Sequence, residues 1–243
     1  MSCNCLPFSG KASIMHDLPD LSGATVAFDL DGTLVDSAPD LVASLNAVLA
    51  EEGLEPVTYD QAMTMVGRGA WVLVQRGFAA RGVTLDDSHK PRLFGRFRDI
   101  YAARIADETR PYPGCLEALD ALSAAGATLV VCTNKLTSLS VALLDALEMT
   151  TRFAAVIGPD LAPAQKPDAR HLLTAIAAAG GTPDRAVLVG DSGIDFQAAR
   201  NAGVPVVLVP FGYSDADVRT LGADDLCETF DQIPAAVARL LSR

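Results

Sequence analysis

Two short runs of consecutive apolar residues constrain the fold more than any other feature of the chain. Thr128–Thr133 reads Thr-Leu-Val-Val-Cys-Thr, and Ala186–Gly190 reads Ala-Val-Leu-Val-Gly. Neither alternates polar with apolar, so neither suits a strand with one face in water. Continuous runs of this kind suit strands covered on both faces, as in a parallel sheet flanked by helices. Thr25–Leu30, Ala154–Ile157 and Val204–Val209 repeat the signal. Between these runs, Cys115–Ala125, Ser138–Leu147, Ala169–Ala179 and Ile194–Ala202 carry apolar residues at helical spacing. Gly126, Gly180 and Gly203 follow three of these segments, where a helix C-terminus favours a left-handed residue. The pattern predicts an α/β fold, Rossmann-like and doubly wound, with a mostly parallel sheet.

One stretch breaks that rhythm. Between residues 38 and 110 the patterns are helical throughout, at Leu41–Glu52, Tyr59–Gly67, Ala70–Arg81 and Arg92–Ala106, with no strand signal. About seventy residues is far more than a crossover between neighbouring strands needs. The expectation is an inserted all-helical cap domain over 38–110, with a second hinge near Arg110-Pro111-Tyr112-Pro113-Gly114. Residues 21–37 and 111–243 then form the α/β core, and residues 1–20, which carry no periodicity, form a disordered lead-in. Met15 is an alternative start.

Composition narrows the function. With 30 acidic and 19 basic residues the net charge is −11, which argues against nucleic acid or an anionic membrane as partner. No run approaches the roughly 18 apolar residues of a membrane span. The five cysteines include no C-x-x-C pair, so neither a disulfide framework nor a zinc site is expected. Cys132 reads as a small buried hydrophobe. The N-terminus lacks a signal peptide's order of features. A soluble, cytoplasmic protein, monomeric or homodimeric, is expected.

The chemistry sits at strand ends. Phe28-Asp29-Leu30-Asp31-Gly32-Thr33 sends an apolar strand into two aspartates two residues apart. Aspartate is disfavoured in strands, and two carboxylates so close repel unless a cation or a proton lies between them. The next strands end in Thr133-Asn134-Lys135 and in Asp191-Ser192-Gly193-Ile194-Asp195, while Gln165-Lys166-Pro167-Asp168 precedes another helix. Taken singly, these are ordinary helix caps and loop residues. Taken together, they would aim carboxylates, a hydroxyl and two ammoniums at the crevice where open α/β sheets bind ligands. Of the 19 basic residues only Lys11, Lys90, Lys135 and Lys166 are lysine, and two of these fall at strand ends. The histidines, His16, His89 and His171, are scattered, which argues against a Ser-His-Asp hydrolase.

The series Asp29-x-Asp31-Gly32-Thr33, Thr133, Lys166-Pro167 and Gly190-Asp191-Ser192-x-x-Asp195 resembles the motifs of the haloacid dehalogenase superfamily, over nearly the whole chain. The helical insertion is similar to that superfamily's C1-type cap. Val66-Gly67-Arg68-Gly69-Ala70, Pro111-Tyr112-Pro113-Gly114 and Thr133-Asn134-Lys135 look like the phosphoglycolate phosphatases. One departure is Ala169, where such proteins usually carry a second proline after Lys-Pro-x. The resemblance implies a Mg²⁺-dependent phosphatase acting on a small phosphomonoester, with 2-phosphoglycolate foremost. It implies Asp29 as nucleophile and Asp31 as acid and base, a role the dehalogenase branch does without. Mg²⁺ is expected between Asp29, the Asp31 carbonyl and Asp191, with Asp195 behind it holding a metal-bound water or Lys166. Thr133, Asn134 and Lys166 are expected on the phosphate, and Arg68 and Lys135 on the remainder of the substrate. The rival readings are a β-phosphoglucomutase-like phosphotransferase or a pyrophosphatase of the same superfamily, and a phosphometabolite-binding protein without turnover.

Overall fold

All four residues of Thr25–Phe28 (β1) are buried, as a strand in the middle of a sheet must be. The computed structural model describes residues 18–242, so expectations for residues 1–17, including the lead-in and Met15, lie outside the described residues. After β1 come a two-residue strand Val35–Asp36 (β2) and the helices Ala38–Glu51 (α1), Tyr59–Met63 (α2), Ala70–Ala79 (α3) and Lys90–Ala103 (α4). A second short strand, Arg110–Pro111 (β3), leads back to Cys115–Ala124 (α5), Thr128–Cys132 (β4), Thr137–Ala146 (α6) and Ala155–Ile157 (β5). Ala169–Ala178 (α7), Ala186–Gly190 (β6), Gly193–Ala202 (α8), Val206–Leu208 (β7), Asp225–Leu226 (β8) and Ile233–Leu241 (α9) complete the order.

The main sheet is parallel, in the order β5-β4-β1-β6-β7-β8. Alternate strand residues serve opposite faces. Val26, Phe28, Val131 and Val189 pack with Leu119, Leu143 and Val237 from α5, α6 and α9. Ala27, Val130, Leu188 and Val206 pack with Leu172, Ile176 and Ala198 from α7 and α8. This two-sided burial is why the strands read as unbroken apolar runs. Gly126, Gly180 and Gly203 have φ of 94°, 75° and 67°, so each adopts the left-handed conformation expected of it.

Helices α1 to α4 gather a separate apolar cluster around Leu45, Leu73, Phe78 and Phe97, joined by Leu139 and Tyr213 from the sheet side. The chain leaves and re-enters through β2 and β3, paired antiparallel with Val35 opposite Pro111. Asp40, fully buried in the first turn of α1, accepts hydrogen bonds from Glu108 N–H, Thr109 N–H and the Thr109 hydroxyl at 3.0, 2.8 and 2.7 Å. These bonds hold its carboxyl below the usual range against the opposing effect of burial. No helix among the described residues is long and apolar enough to cross a membrane. Cys115, Cys132 and Cys227 are free and buried.

Close packing of α3 on α1 depends on Gly77. A Cβ there would lie 2.6 and 2.8 Å from the methyl carbons of Leu45, itself fully buried. Gly95 in α4 has nothing within 4 Å of such a Cβ. Overpacking costs about 1–3 kcal/mol, more than the ~1 kcal/mol that alanine gains in a helix. Gly77→Ala should therefore lower unfolding stability by about 1 kcal/mol, while Gly95→Ala should raise it by about 0.5–1 kcal/mol. Denaturant midpoints check both; a stabilising Gly77→Ala would mean that Leu45 yields.

Candidate active site

The parallel register brings three strand ends to one level. Phe28 lies opposite Val131 of β4 and Val189 of β6, so the next residue, Asp29, leaves the sheet between its two neighbours. Its N–H still donates to the Val189 carbonyl at 2.9 Å, and Thr133 N–H donates to Ile157 at 3.1 Å. Gly32, with φ of 85°, then turns the chain. A Cβ on Gly32 would collide with the Asp191 carboxylate, so only glycine lets the two loops approach.

Asp29, Asp191 and Asp195 are buried, and each offers an oxygen within 4.8 Å of the others. The Lys166 ammonium lies 2.9 Å from Asp29 and 2.7 Å from Asp195. The second Asp195 oxygen accepts from the Ser192 hydroxyl at 2.6 Å, inside the capping box that opens α8. Asp191 accepts from the Thr33 hydroxyl at 2.9 Å and from Tyr213 N–H at 2.6 Å. Burial raises the Asp29 carboxyl to about 6, Lys166 opposing and Asp195 adding to the rise. Asp191 is pushed well above the carboxylate range by burial and by the charges of Asp195 and Asp29. Lys166 is held above the usual lysine range because those acids outweigh the effect of its burial.

Asp31 lines the adjoining cavity. Both its oxygens accept from the Lys135 ammonium, at 2.9 and 3.0 Å, and one also accepts from the Ser37 hydroxyl at 2.5 Å. The buried Lys135 thus sits on Asp31, and its ammonium also lies 4.5 Å from the centre of the Tyr101 ring. The Thr133 hydroxyl accepts from Lys135 N–H at 3.2 Å, which leaves its own O–H to donate. The Asn134 amide is committed to the Lys166 main chain, donating to its carbonyl at 3.1 Å and accepting its N–H at 2.9 Å. Arg68 lines the cavity from the helical side, and its guanidinium holds Asp215 at 2.6 Å, both side chains being about half exposed.

Two contributors carry no motif. His171 Nδ1 accepts the Lys166 N–H at 3.0 Å, while Nε2 faces the Ile157 carbonyl at 3.2 Å. Burial, helped by Lys166, lowers its pKa to about 4, so the ring is a neutral clamp on the lysine's backbone. Tyr213 ties Asp191 to the start of α1: its hydroxyl bonds Asp36 and accepts Ala38 N–H at 2.9 Å. The sequence signal for His171 was its place on the apolar face of α7. For Tyr213 it was only the position of its loop after β7.

The model of the haloacid dehalogenase-like hydrolase family matches residues 26–209. The chain belongs to that family. It is 58% identical to a phosphoglycolate phosphatase of Caulobacter vibrioides, over 94% of this chain and 96% of the relative. A phosphoglycolate phosphatase of Agrobacterium fabrum is 49% identical over 89% of this chain and 93% of the relative. The fold is similar to that of a predicted phosphoglycolate phosphatase from Haemophilus somnus, with a TM-score of 0.80 and 31% identity. That alignment covers 88% of this chain and 96% of the other.

Three carboxylates against one ammonium leave the cluster short of positive charge, and the donors are all oxygen, which suits a hard divalent cation. Asp195 is held by the Lys166 ammonium and the Ser192 hydroxyl, whereas Asp191 has only neutral donors and the bonds of Asp29 all fall on one oxygen, so Asp29 and Asp191 are the candidates to face an ion. Asp191→Asn can keep both its hydrogen bonds, the Thr33 hydroxyl rotating to accept, while one like charge is removed. In EDTA this variant should be at least as stable as the wild type, and Mg²⁺ should raise Tm by several degrees in the wild type only. The raised Asp29 carboxyl binds its proton more tightly in the metal-free native state than in the unfolded chain, so this group's contribution to metal-free stability is present below about pH 4 and is lost as pH rises to about 6. Thermal melts with and without metal check each point; an equal Mg²⁺ shift in Asp191→Asn would remove Asp191 from the cation site.

Proposed function

We propose that the protein is a Mg²⁺-dependent phosphatase that hydrolyses a small phosphomonoester, 2-phosphoglycolate, through an aspartyl-phosphate intermediate. The observation that carries this reading is Asp29, buried beside Asp191 and bonded to Lys166, with Asp31 on the wall of the same crevice. The relatives named phosphoglycolate phosphatase, which match almost end to end, support the choice of substrate. In this reading residues 38–110 are a cap over a core made of residues 21–37 and 111–243. The partner is a small phosphate ester, and the setting is cytoplasmic.

The steps follow from what each group can do. An Asp29 oxygen attacks phosphorus in line, forming an acyl-phosphate bond as the bond to the substrate's alkoxide oxygen breaks. Asp31, in its acid form, gives that leaving oxygen a proton. As a carboxylate it then takes a proton from the water that attacks phosphorus and frees Asp29. Lys135 is a positioning residue here, because its two contacts fix the direction of the Asp31 carboxyl. The Thr133 hydroxyl, the Lys166 ammonium and the main chain around Asn134 hold the non-bridging oxygens. Mg²⁺, held by Asp29, Asp191 and the Asp31 carbonyl, would add positive charge to the phosphoryl oxygens when bound. Arg68 reaches the substrate by exchanging Asp215 for a carboxylate, at little cost because an exposed ion pair contributes only about 0–1 kcal/mol.

A substrate panel tests the reading. With Mg²⁺, kcat/KM should be highest for 2-phosphoglycolate among that ester, β-glucose 1-phosphate, pyrophosphate and small sugar phosphates. A preference for either of the first two alternatives would replace the phosphatase with the corresponding rival. Asp29→Asn should cut turnover by about 1000-fold or more with the melting transition retained. Retained turnover would take the nucleophile's role from Asp29, and full activity in EDTA would remove the metal.

A further inference from the structure

The wall of the cavity holds a buried phenol with no acceptor for its proton. Among the described residues, three buried side-chain polar atoms have no hydrogen-bond partner: Asp40 Oδ1, Arg104 Nε and Tyr101 Oη. The first two face each other at 3.5 Å and satisfy one another as an ion pair. The Tyr101 hydroxyl has only the Lys135 ammonium beside it, and an ammonium donates, so the phenol's own proton finds no acceptor. It is 1% exposed, lies in α4 and packs its ring in the cap's apolar cluster beside Phe97. A phenylalanine would fill that space without an unbonded hydroxyl, whose burial is costly.

The surroundings indicate what completes the bond. Tyr101 lines a cavity of about 290 Å³ whose floor carries Asp29, Asp31 and Thr133 and whose helical side is largely apolar, with Trp71, Phe94 and Phe97. Ala70, Trp71 and Val72, the first turn of α3, line the same space, and Gly69 offers no side chain to cap their N–H groups. A helix start and a phenol both donate, so together they suit an anionic group. The acids nearest the phenol are already answered, Asp31 by Lys135, so the missing acceptor must come from outside the chain.

Resting on the phosphoglycolate reading, we infer that the Tyr101 hydroxyl donates to the substrate's carboxylate and is a specificity-determining residue. It selects phosphate esters that carry an anionic group close behind the ester oxygen. The first turn of α3 receives the same group.

The test compares 2-phosphoglycolate with ethyl phosphate, an ester of similar length without the carboxylate, in wild-type protein and in Tyr101→Phe. The substitution keeps the ring and removes only the unbonded hydroxyl, so folding is not at risk. The wild type should prefer 2-phosphoglycolate, and Tyr101→Phe should reduce that preference about tenfold, through a higher KM for 2-phosphoglycolate. An unchanged preference would overturn the assignment. A fall in kcat shared by both esters would also overturn it, because the hydroxyl would then act through Lys135 on Asp31. A wild type with no preference for 2-phosphoglycolate would sink the phosphoglycolate reading itself and the carboxylate contact with it. That outcome is visible before any variant is made.

Discussion

Asp29, Asp191 and Asp195 bring three negative charges into a space where their oxygens lie within 4.8 Å of one another, against the single positive charge of Lys166. At an effective dielectric constant of about 20, two unit charges 4 Å apart still interact by roughly 4 kcal/mol. The chain would avoid such a cluster if its backbone were free to do so. It is not free. Asp29 is fixed by one more ladder bond beyond β1, and Asp195 by the capping box of α8. Asp191 is fenced by Gly32 and Gly212, positions where any Cβ would meet its carboxylate. Lys166 is anchored through its main chain by Asn134 and His171. Hydrophobic burial of a parallel sheet supplies the framework, and the framework supports an electrostatic conflict that a bound cation would relieve.

The helical half and the sheet half are attached by contacts of unequal strength. At the chain crossings the bonds are mostly buried: Asp40 takes three donors from Glu108 and Thr109 just before β3, and Tyr213 reaches from beside Asp191 to Asp36 and Ala38. Each such bond carries the full penalty of an unsatisfied buried group if it breaks. Across the mouth of the cavity the corresponding tie is Arg68 with Asp215, about half exposed on both sides, and contacts of that kind contribute little. The difference concentrates rigidity at the crossings and leaves the rim easier to open.

Much of this was legible in the sequence, for identifiable reasons. Strands buried on both faces leave an unbroken apolar signature, so β1, β4, β5, β6 and β7 were each readable to within two residues at either end. The aspartate pair stood out because strand ends do not favour it. Elements of two residues leave no periodicity, so β2, β3 and β8 were invisible. Helix α9 was overlooked although its pattern, with a proline in the first turn, was present. His171 and Tyr213 act through a ring nitrogen on a backbone N–H and through a loop amide, contacts that only folding creates. Lys135, expected to face substrate, lines the cavity, and its ammonium lies on Asp31 there. A buried ammonium seeks the nearest carboxylate, and spacing along a chain does not reveal which carboxylate that is.

The contrast between the floor and walls of the cavity bears on selectivity. A small phosphate ester is polar over its whole surface, yet Trp71, Phe94 and Phe97 make the helical side apolar. Such walls bond nothing on the ester. They exclude water, and in drier surroundings each charge-directed contact on the floor is stronger than it would be in solvent. The same walls make every polar group among them conspicuous. An ester without a second charge would leave the Tyr101 hydroxyl and the start of α3 unanswered, and a site rejects most strongly the ligand that leaves its buried donors unpaired. On the proposed role of Tyr101, selectivity for an anionic tail would follow from the scarcity of donors on the cap side rather than from their number.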